Sequence, residues 1–425
     1  MTFFFVDALD ECDEDQVRDL VDFFEKLTDR ACDKGPPLRI CFSSRHYPFI
    51  SIDECSELFV EKHNYKDIRL YVQDQAKYEK KFASLAPTII SKASGVFLWV
   101  VLVISRLRKS AAGKSLAALA SELAAVPPKL EELFDTLFSN NMEHDEKAQT
   151  GLLIQLVLFG DQSFLAKDLL FALALESKEP PESVKSWKES YRITNIDNAN
   201  ETISDEEELL DHERMIIELS RGLLEFHDGK AEFIHESVRD FFLKGSGSSF
   251  LCNSPARECL SSLGHSAIAS ACAKCLQIPD IRRLQVSQGR FSSQPGDPPF
   301  LGYAANEFLR HAEIAESEGI SQEQSLSMVL HGQCRPKKLS FLLAAYSTSR
   351  FNLPQTMQIW YEFTDPSLLC SCIIHNSIAC VKRLIEMNEV NLEEEVRMYM
   401  DFEYVEPGRR FDYGNLSQRL YACKR

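Results

Sequence analysis

Basic charge is scarce in this sequence. It has 47 Lys and Arg against 64 Asp and Glu, a formal charge of −17, and such a surface repels phosphate backbones and anionic lipid. Nucleic acid and membrane surfaces are therefore excluded as first partners. Long hydrophobic runs are missing as well: the strongly apolar stretch Ala93 to Ser105 falls well short of the roughly 20 residues a bilayer span needs. The opening Met-Thr-Phe-Phe-Phe-Val-Asp has no basic segment, and its four apolar residues are too few for a signal peptide. The 13 cysteines lack framework spacing, which reads as reduced thiols in a cytoplasmic protein. No Ser or Cys motif accompanies His46, His63 or His227 to suggest nucleophilic catalysis.

What is present is a globular composition, 44% hydrophobic and 26% charged, long enough for roughly two to four packed cores. Residues 3 to 6 and 39 to 43 are short apolar runs of the kind buried parallel strands show. Between them Val17, Leu20, Val21, Phe24 and Leu27 recur at helical spacing, and Gly35-Pro36-Pro37 ends that helix. The order is strand, helix, strand, the later part of an α/β domain.

Everything downstream reads mainly as helix. Asp67 to Leu107 gives two helices, a third surrounds Ser115 to Leu123, and a fourth runs from Lys129 to Phe138, together a small bundle. Residues 178 to 214, with two prolines and the acidic run Ser204 to Glu208, read as a solvated insertion. Residues 215 to 243 give helix, two short strands about a turn at Asp228-Gly229-Lys230, then helix, a winged-helix order. Helical pattern returns from Ser254 to Ser347, broken by the polar loop Gln285 to Pro299, and Pro366 to Leu392 reads as one helix pair.

The strongest chemical signal is Phe3-Phe4-Phe5-Val6-Asp7-Ala8-Leu9-Asp10-Glu11. A buried strand ending in carboxylates places them at the edge where α/β sheets bind ligands; there one carboxylate suits Mg²⁺ and another can orient water toward a γ-phosphate. An acidic strand-to-helix loop in which Asp10 or Asp13 caps the next helix accounts for the same residues. Composition leaves the two readings even.

This phrase resembles the Walker B segment of NACHT NTPases, which implies Asp7 as the Mg²⁺ carboxylate with Asp10 and Glu11 as the catalytic acidic pair. Arg39-Ile40-Cys41-Phe42-Ser43-Ser44-Arg45 resembles the family's sensor strand, implying that Arg45 reaches the γ-phosphate. Gly95 to Val100 with Leu123, Pro127 and Leu130 resembles the helical domain of fungal NACHT proteins. Phe233 to Phe242 resembles their winged helix, and also that of relatives of GPI inositol-deacylase. By that likeness His235 matches a histidine that touches the β-phosphate of ADP; a partly buried core histidine is the competing role. Pro299 to Ala305 with His311 is similar to a helical segment of fungal members, and Cys380 to Ile385 with Val390-Asn391 to half of an ankyrin repeat, without its Thr-Pro-Leu-His opening.

The expected fold is mainly α with a partial α/β N-terminal part. It divides into residues 1–62 as a partial NACHT half-sheet, 63–145 helical, 146–246 winged helix, 250–347 helical, 362–395 a single ankyrin-like unit, and an irregular tail at 405–425. The resemblance implies ATP or ADP and Mg²⁺ as the intact family's cofactors. A phosphate loop needs Gly-x-x-x-x-Gly-Lys-Ser/Thr, and the sole Gly-Lys-Ser, Gly113-Lys114-Ser115, has Arg108 where the first glycine belongs and lies downstream of the Walker B strand. It reads as a helix junction, so this chain alone is expected to hold no cofactor. Cys272-x-x-Cys275 near Cys259 and His265 suits buried thiols on a helix better than zinc. The expected function is a fragment of a nucleotide-gated switch in fungal self/non-self recognition or defence, with protein partners and homo-oligomerisation; the alternative is a non-catalytic interaction scaffold derived from such an NTPase.

Overall fold

The computed structural model describes residues 2–35, 38–44, 52, 55–78, 80–111, 113–138, 142–160, 164–195, 205–252, 260–278, 299–331, 368, 372 and 377–387. Contacts divide the chain into two compact units, 1–70 and 71–425. The described residues are mostly helical, with a small α/β part at the N-terminus.

In the first unit β1 (Thr2–Val6) and β2 (Leu38–Phe42) pair in parallel, with Thr2 opposite Leu38 and Val6 opposite Phe42. The connection is α1 (Glu14–Lys34), whose apolar stripe buries Val17 and Val21. Because side chains alternate along a strand, Phe4 and Phe42 meet α1 together, their rings 5.7 and 5.5 Å from that of Phe24. Phe3 and Phe5 point to the other face, stacked on each other and 55% and 78% exposed. The strands lie where the sequence put them, but β1 is not buried. Among the described residues of this unit α1 covers one side of the strand pair, whereas parallel sheets are ordinarily covered on both. The unit also contains the short α2 (Val60–His63), and the division falls within α3 (Tyr65–Tyr78).

After the later part of α3, the second unit holds α4 (Lys80–Ala93), α5 (Phe97–Ala111), α6 (Leu116–Ala125) and α7 (Leu130–Phe138). The span read as two helices is thus three, α3 to α5. Trp99 is fully buried, and its Nε1 donates to the Pro127 carbonyl at 2.8 Å. Lys92 Nζ donates to the carbonyls of Leu123, Ala124 and Val126, and Lys81 Nζ to those of Ala111 and Lys114. These ammonium groups donate to carbonyls at and just beyond the C-terminal ends of α6 and α5, where helix carbonyls lack intrahelical partners or share them.

Next come α8 (His144–Phe159), α9 (Ala166–Leu175), α10 (Val184–Asn195) and α11 (Asp205–Leu219). The segment read as a solvated insertion supplies α10, whose Trp187 is buried against Phe171, ring centroids 5.1 Å apart. The antiparallel hairpin β3 (Leu224–His227) and β4 (Lys230–Phe233) follows. Its two-residue turn takes Asp228 and Gly229 to φ 51° and 74°, the left-handed pair that a tight hairpin needs. Then come α12 (Glu236–Leu243), α13 (Ser248–Leu251), α14 (Leu260–Leu276), α15 (Leu301–Ser317) and α16 (Glu323–His331). The helix, hairpin, helix order read for 215–243 is present as α11, β3, β4 and α12.

Buried side chains from Leu152 to Ala231 and from Ile268 to Leu384 form one continuous core. Its last described helix, α17 (Ile378–Glu386), falls within the segment read as ankyrin-like. Glu313 accepts the N–H groups of Ala379 and Cys380 at 2.9 Å, and Arg383 pairs with Glu316 at 2.7 Å, which pins α17 to α15. The loop 285–298 and the tail 405–425 lie outside the described residues.

Candidate functional site

The sequence-predicted carboxylates sit where β1 ends. Asp7 is the first residue past the strand, and parallel pairing places it beside Ser43, the first residue past β2. Ala8 takes the left-handed conformation, φ 54° and ψ 52°, Leu9 to Glu11 form one 3₁₀ turn, and Leu9 is buried as the apolar anchor of that turn.

Ser43 holds the turn from four sides. Its N–H donates to the Val6 carbonyl, its carbonyl accepts the Leu9 N–H, and its Oγ accepts the Ala8 N–H, each at 2.9 Å. Its hydroxyl donates to Asp7 Oδ1. Among the described residues Asp7 Oδ2 has no partner. Asp13 occupies the N-cap position of α1, yet its side chain makes no capping hydrogen bond, so the capping reading loses its main support at that residue. Asp10 is half-buried in the 3₁₀ turn beside Glu11. Arg45 lies outside the described residues, which end at Ser44 on this strand.

Could this edge hold a hard cation? Mg²⁺ characteristically takes one or two carboxylates and draws its remaining oxygens from water and substrate phosphates. A single strand-end carboxylate with one oxygen anchored and one open fits that role. It does not make an all-protein cage, and among the described residues no group of three or more His, Cys, Asp or Glu converges to hold a metal.

His235 joins β4 to α12. It is exposed, and its Nδ1 accepts the Ser237 N–H at 3.0 Å, so it serves as the N-cap of α12. It is therefore not a core histidine. A ring nitrogen that accepts a hydrogen bond carries no proton, so the neutral ring holds its hydrogen on Nε2.

The two decoys are occupied by structural work. Gly113 turns the chain at φ 75°, Ser115 Oγ caps α6 by accepting the Ala118 N–H, and Lys114 pairs with Glu122 at 2.9 Å. Burial alone would raise the Glu122 carboxyl, but hydrogen bonds from Lys114 and Ser110 and the charge of Arg106 outweigh it and hold the carboxyl low. Cys272 and Cys275 are fully buried on α14, and burial pushes both thiols up, keeping them protonated.

One polar chain was invisible to sequence reasoning as a unit. His265 Nδ1 lies 2.6 Å from His311 Nδ1, and His311 Nε2 lies 2.6 Å from the Tyr303 hydroxyl, all three residues buried between α14 and α15. Tyr303 and His311 stand eight residues apart on one helix, a spacing that hints at a shared face, but nothing local signals the partner 46 residues away.

No family model matches this chain, and no solved structure does. The chain is similar to the vegetative incompatibility protein HET-E-1 of Podospora anserina, 26% identical over 278 residues. That alignment covers 61% of this chain and 18% of the relative, so the chain spans less than a fifth of the protein it matches. No described helix is long and apolar enough to cross a membrane.

Proposed function

We propose that this chain is part of a NACHT-type nucleotide-gated signalling switch, in which the β1 edge handles Mg²⁺ and water and the later segments report nucleotide state. The observation that carries this reading is the Asp7–Ser43 junction at the C-terminal edge of a parallel strand pair, the edge where open α/β sheets take their ligands. The likeness to a vegetative incompatibility protein supports a place in fungal self/non-self signalling. In this reading Asp7 is the Mg²⁺ carboxylate, and Asp10 and Glu11 are the acidic pair that orients water. Arg45 contacts the γ-phosphate and His235, in the winged-helix segment, the β-phosphate of ADP. The mode of action is through protein partners and self-association.

A second reading, a non-catalytic interaction scaffold, draws support from Gly113-Lys114-Ser115. The triplet's lysine is ion-paired and its serine caps a helix, so it offers nothing to a phosphate. A fluorescent ATP analogue separates the readings. The chain by itself should bind no tighter than about 1 mM, and a fusion that supplies a Gly-x-x-x-x-Gly-Lys-Ser/Thr phosphate loop on a strand and helix should reach about 1 μM, a gain of roughly 4 kcal/mol. Equally weak binding by both would favour the scaffold.

A further inference from the structure

We infer that Ser43 is a positioning residue for the Asp7 carboxylate, fixing which oxygen faces a cation. This rests on the reading of Asp7 as a cation ligand and goes beyond it. An exposed carboxylate on a loop can rotate about two side-chain torsions, and every orientation lost on binding a metal weakens that binding. Here one oxygen, Oδ1, accepts the Ser43 hydroxyl in a charge-assisted hydrogen bond. The backbone beneath it is held by the same residue. Ala8 occupies the left-handed region, which an alanine keeps only where its surroundings over-determine it. Ser43 does this with its Oγ on the Ala8 N–H and its carbonyl on the Leu9 N–H. One residue thus braces the turn that carries Asp7, through its backbone and its Oγ, and sets the rotation of the carboxylate through its hydroxyl, leaving Oδ2 as the oxygen without a partner among the described residues. Partners of this kind, one step removed from the ligand itself, typically change metal affinity by roughly ten- to a hundredfold.

The test uses the full chain and Mn²⁺ alone as the probe, read by paramagnetic broadening of backbone amide signals around residues 7–9. This readout detects weak sites and does not depend on turnover. Wild type should show broadening at this turn at lower Mn²⁺ than at other exposed carboxylates. Ser43→Ala should need roughly ten times more Mn²⁺, and Ser43→Thr, which keeps the hydroxyl, should restore the wild-type value. The Val6–Ser43 and Leu9–Ser43 bonds use only backbone, so unchanged shifts there report an intact turn. If Ser43→Ala unfolds the unit, Ser43→Val against Ser43→Thr makes the same comparison at matched shape. Wild-type broadening in Ser43→Ala, or in Ser43→Val, overturns the positioning role while leaving Asp7 in place. Wild-type broadening in Asp7→Asn, or no preference for this turn in wild type, overturns the reading of Asp7 itself and the inference with it.

Discussion

His235 Nδ1 accepts the Ser237 backbone N–H at 3.0 Å, so the histidine proposed to read a nucleotide is also the cap of the helix behind it. A substitution at this position therefore has two effects that must be separated. His235→Leu removes the cap and should cost about 1 kcal/mol whether or not nucleotide is present. His235→Asn keeps a capping acceptor and should leave the melting temperature near wild type. In a protein given a P-loop, the Asn variant should show a smaller ADP-induced melting shift, because the Nε2 donor is gone. If Asn and Leu destabilise equally without nucleotide, the cap is not what His235 contributes.

The buried His265–His311 contact makes acid costly. The two Nδ1 atoms are 2.6 Å apart in a buried contact. Burial first, then the positive charge of His265 and Arg310, pushes His311 down to about 2. In the unfolded chain the same imidazole titrates near about 6.5. Below that value the unfolded state takes up a proton that the folded state refuses, so stability falls as pH drops from about 6.5 toward about 2. Between pH 7 and 5 this residue should cost about 2 kcal/mol. Urea unfolding at both pH values measures the loss, and His311→Gln, which keeps a hydrogen-bonding group but does not titrate, should shrink it. An unchanged pH slope in that variant would show that the histidine is not the source.

Gly264 lies inside α14, where alanine would ordinarily be the better helix former by up to about 1 kcal/mol. A Cβ at this position would stand 2.3 Å from Cδ2 of Phe159, whose ring also packs on His265. Overpacking of that kind costs about 1–3 kcal/mol, so Gly264→Ala should destabilise despite its propensity gain. A urea midpoint equal to or above wild type would mean that the Phe159 ring moves aside freely.

What the sequence made legible was local. The strand, helix, strand order of the first unit follows from apolar spacing, and the β3–β4 hairpin from Asp228-Gly229, whose turn chemistry permits little else. The fully buried Trp99 stands in the stretch with the plainest apolar run. What it hid was relational. Trp187 looked like part of a polar insertion because Phe171 and His212, the rings beside it, are 16 and 25 positions away. Ser43 reads only as part of the strand that leads to Arg45, since its hydrogen bond to Asp7 exists only once parallel pairing sets the two side by side. β1 reads as a continuous apolar run, the pattern of a strand buried on both faces, so nothing in it tells which face a helix covers, and Phe3 and Phe5 are exposed.

The central claim is that Asp7 is the cation carboxylate of a nucleotide-hydrolysing edge. The direct measurement is Mg²⁺-dependent ATP hydrolysis by the chain fused to a phosphate-loop segment of the Gly-x-x-x-x-Gly-Lys-Ser/Thr type, compared with the same protein carrying Asp7→Asn. That change removes a metal ligand at nearly constant volume. Each 1.36 kcal/mol of lost transition-state stabilisation is tenfold in rate, and losing the metal's hold is worth several. The account predicts that turnover falls by roughly a hundredfold or more while the melting temperature stays within about 2 °C of the parent. Turnover in Asp7→Asn equal to that of the parent would contradict it.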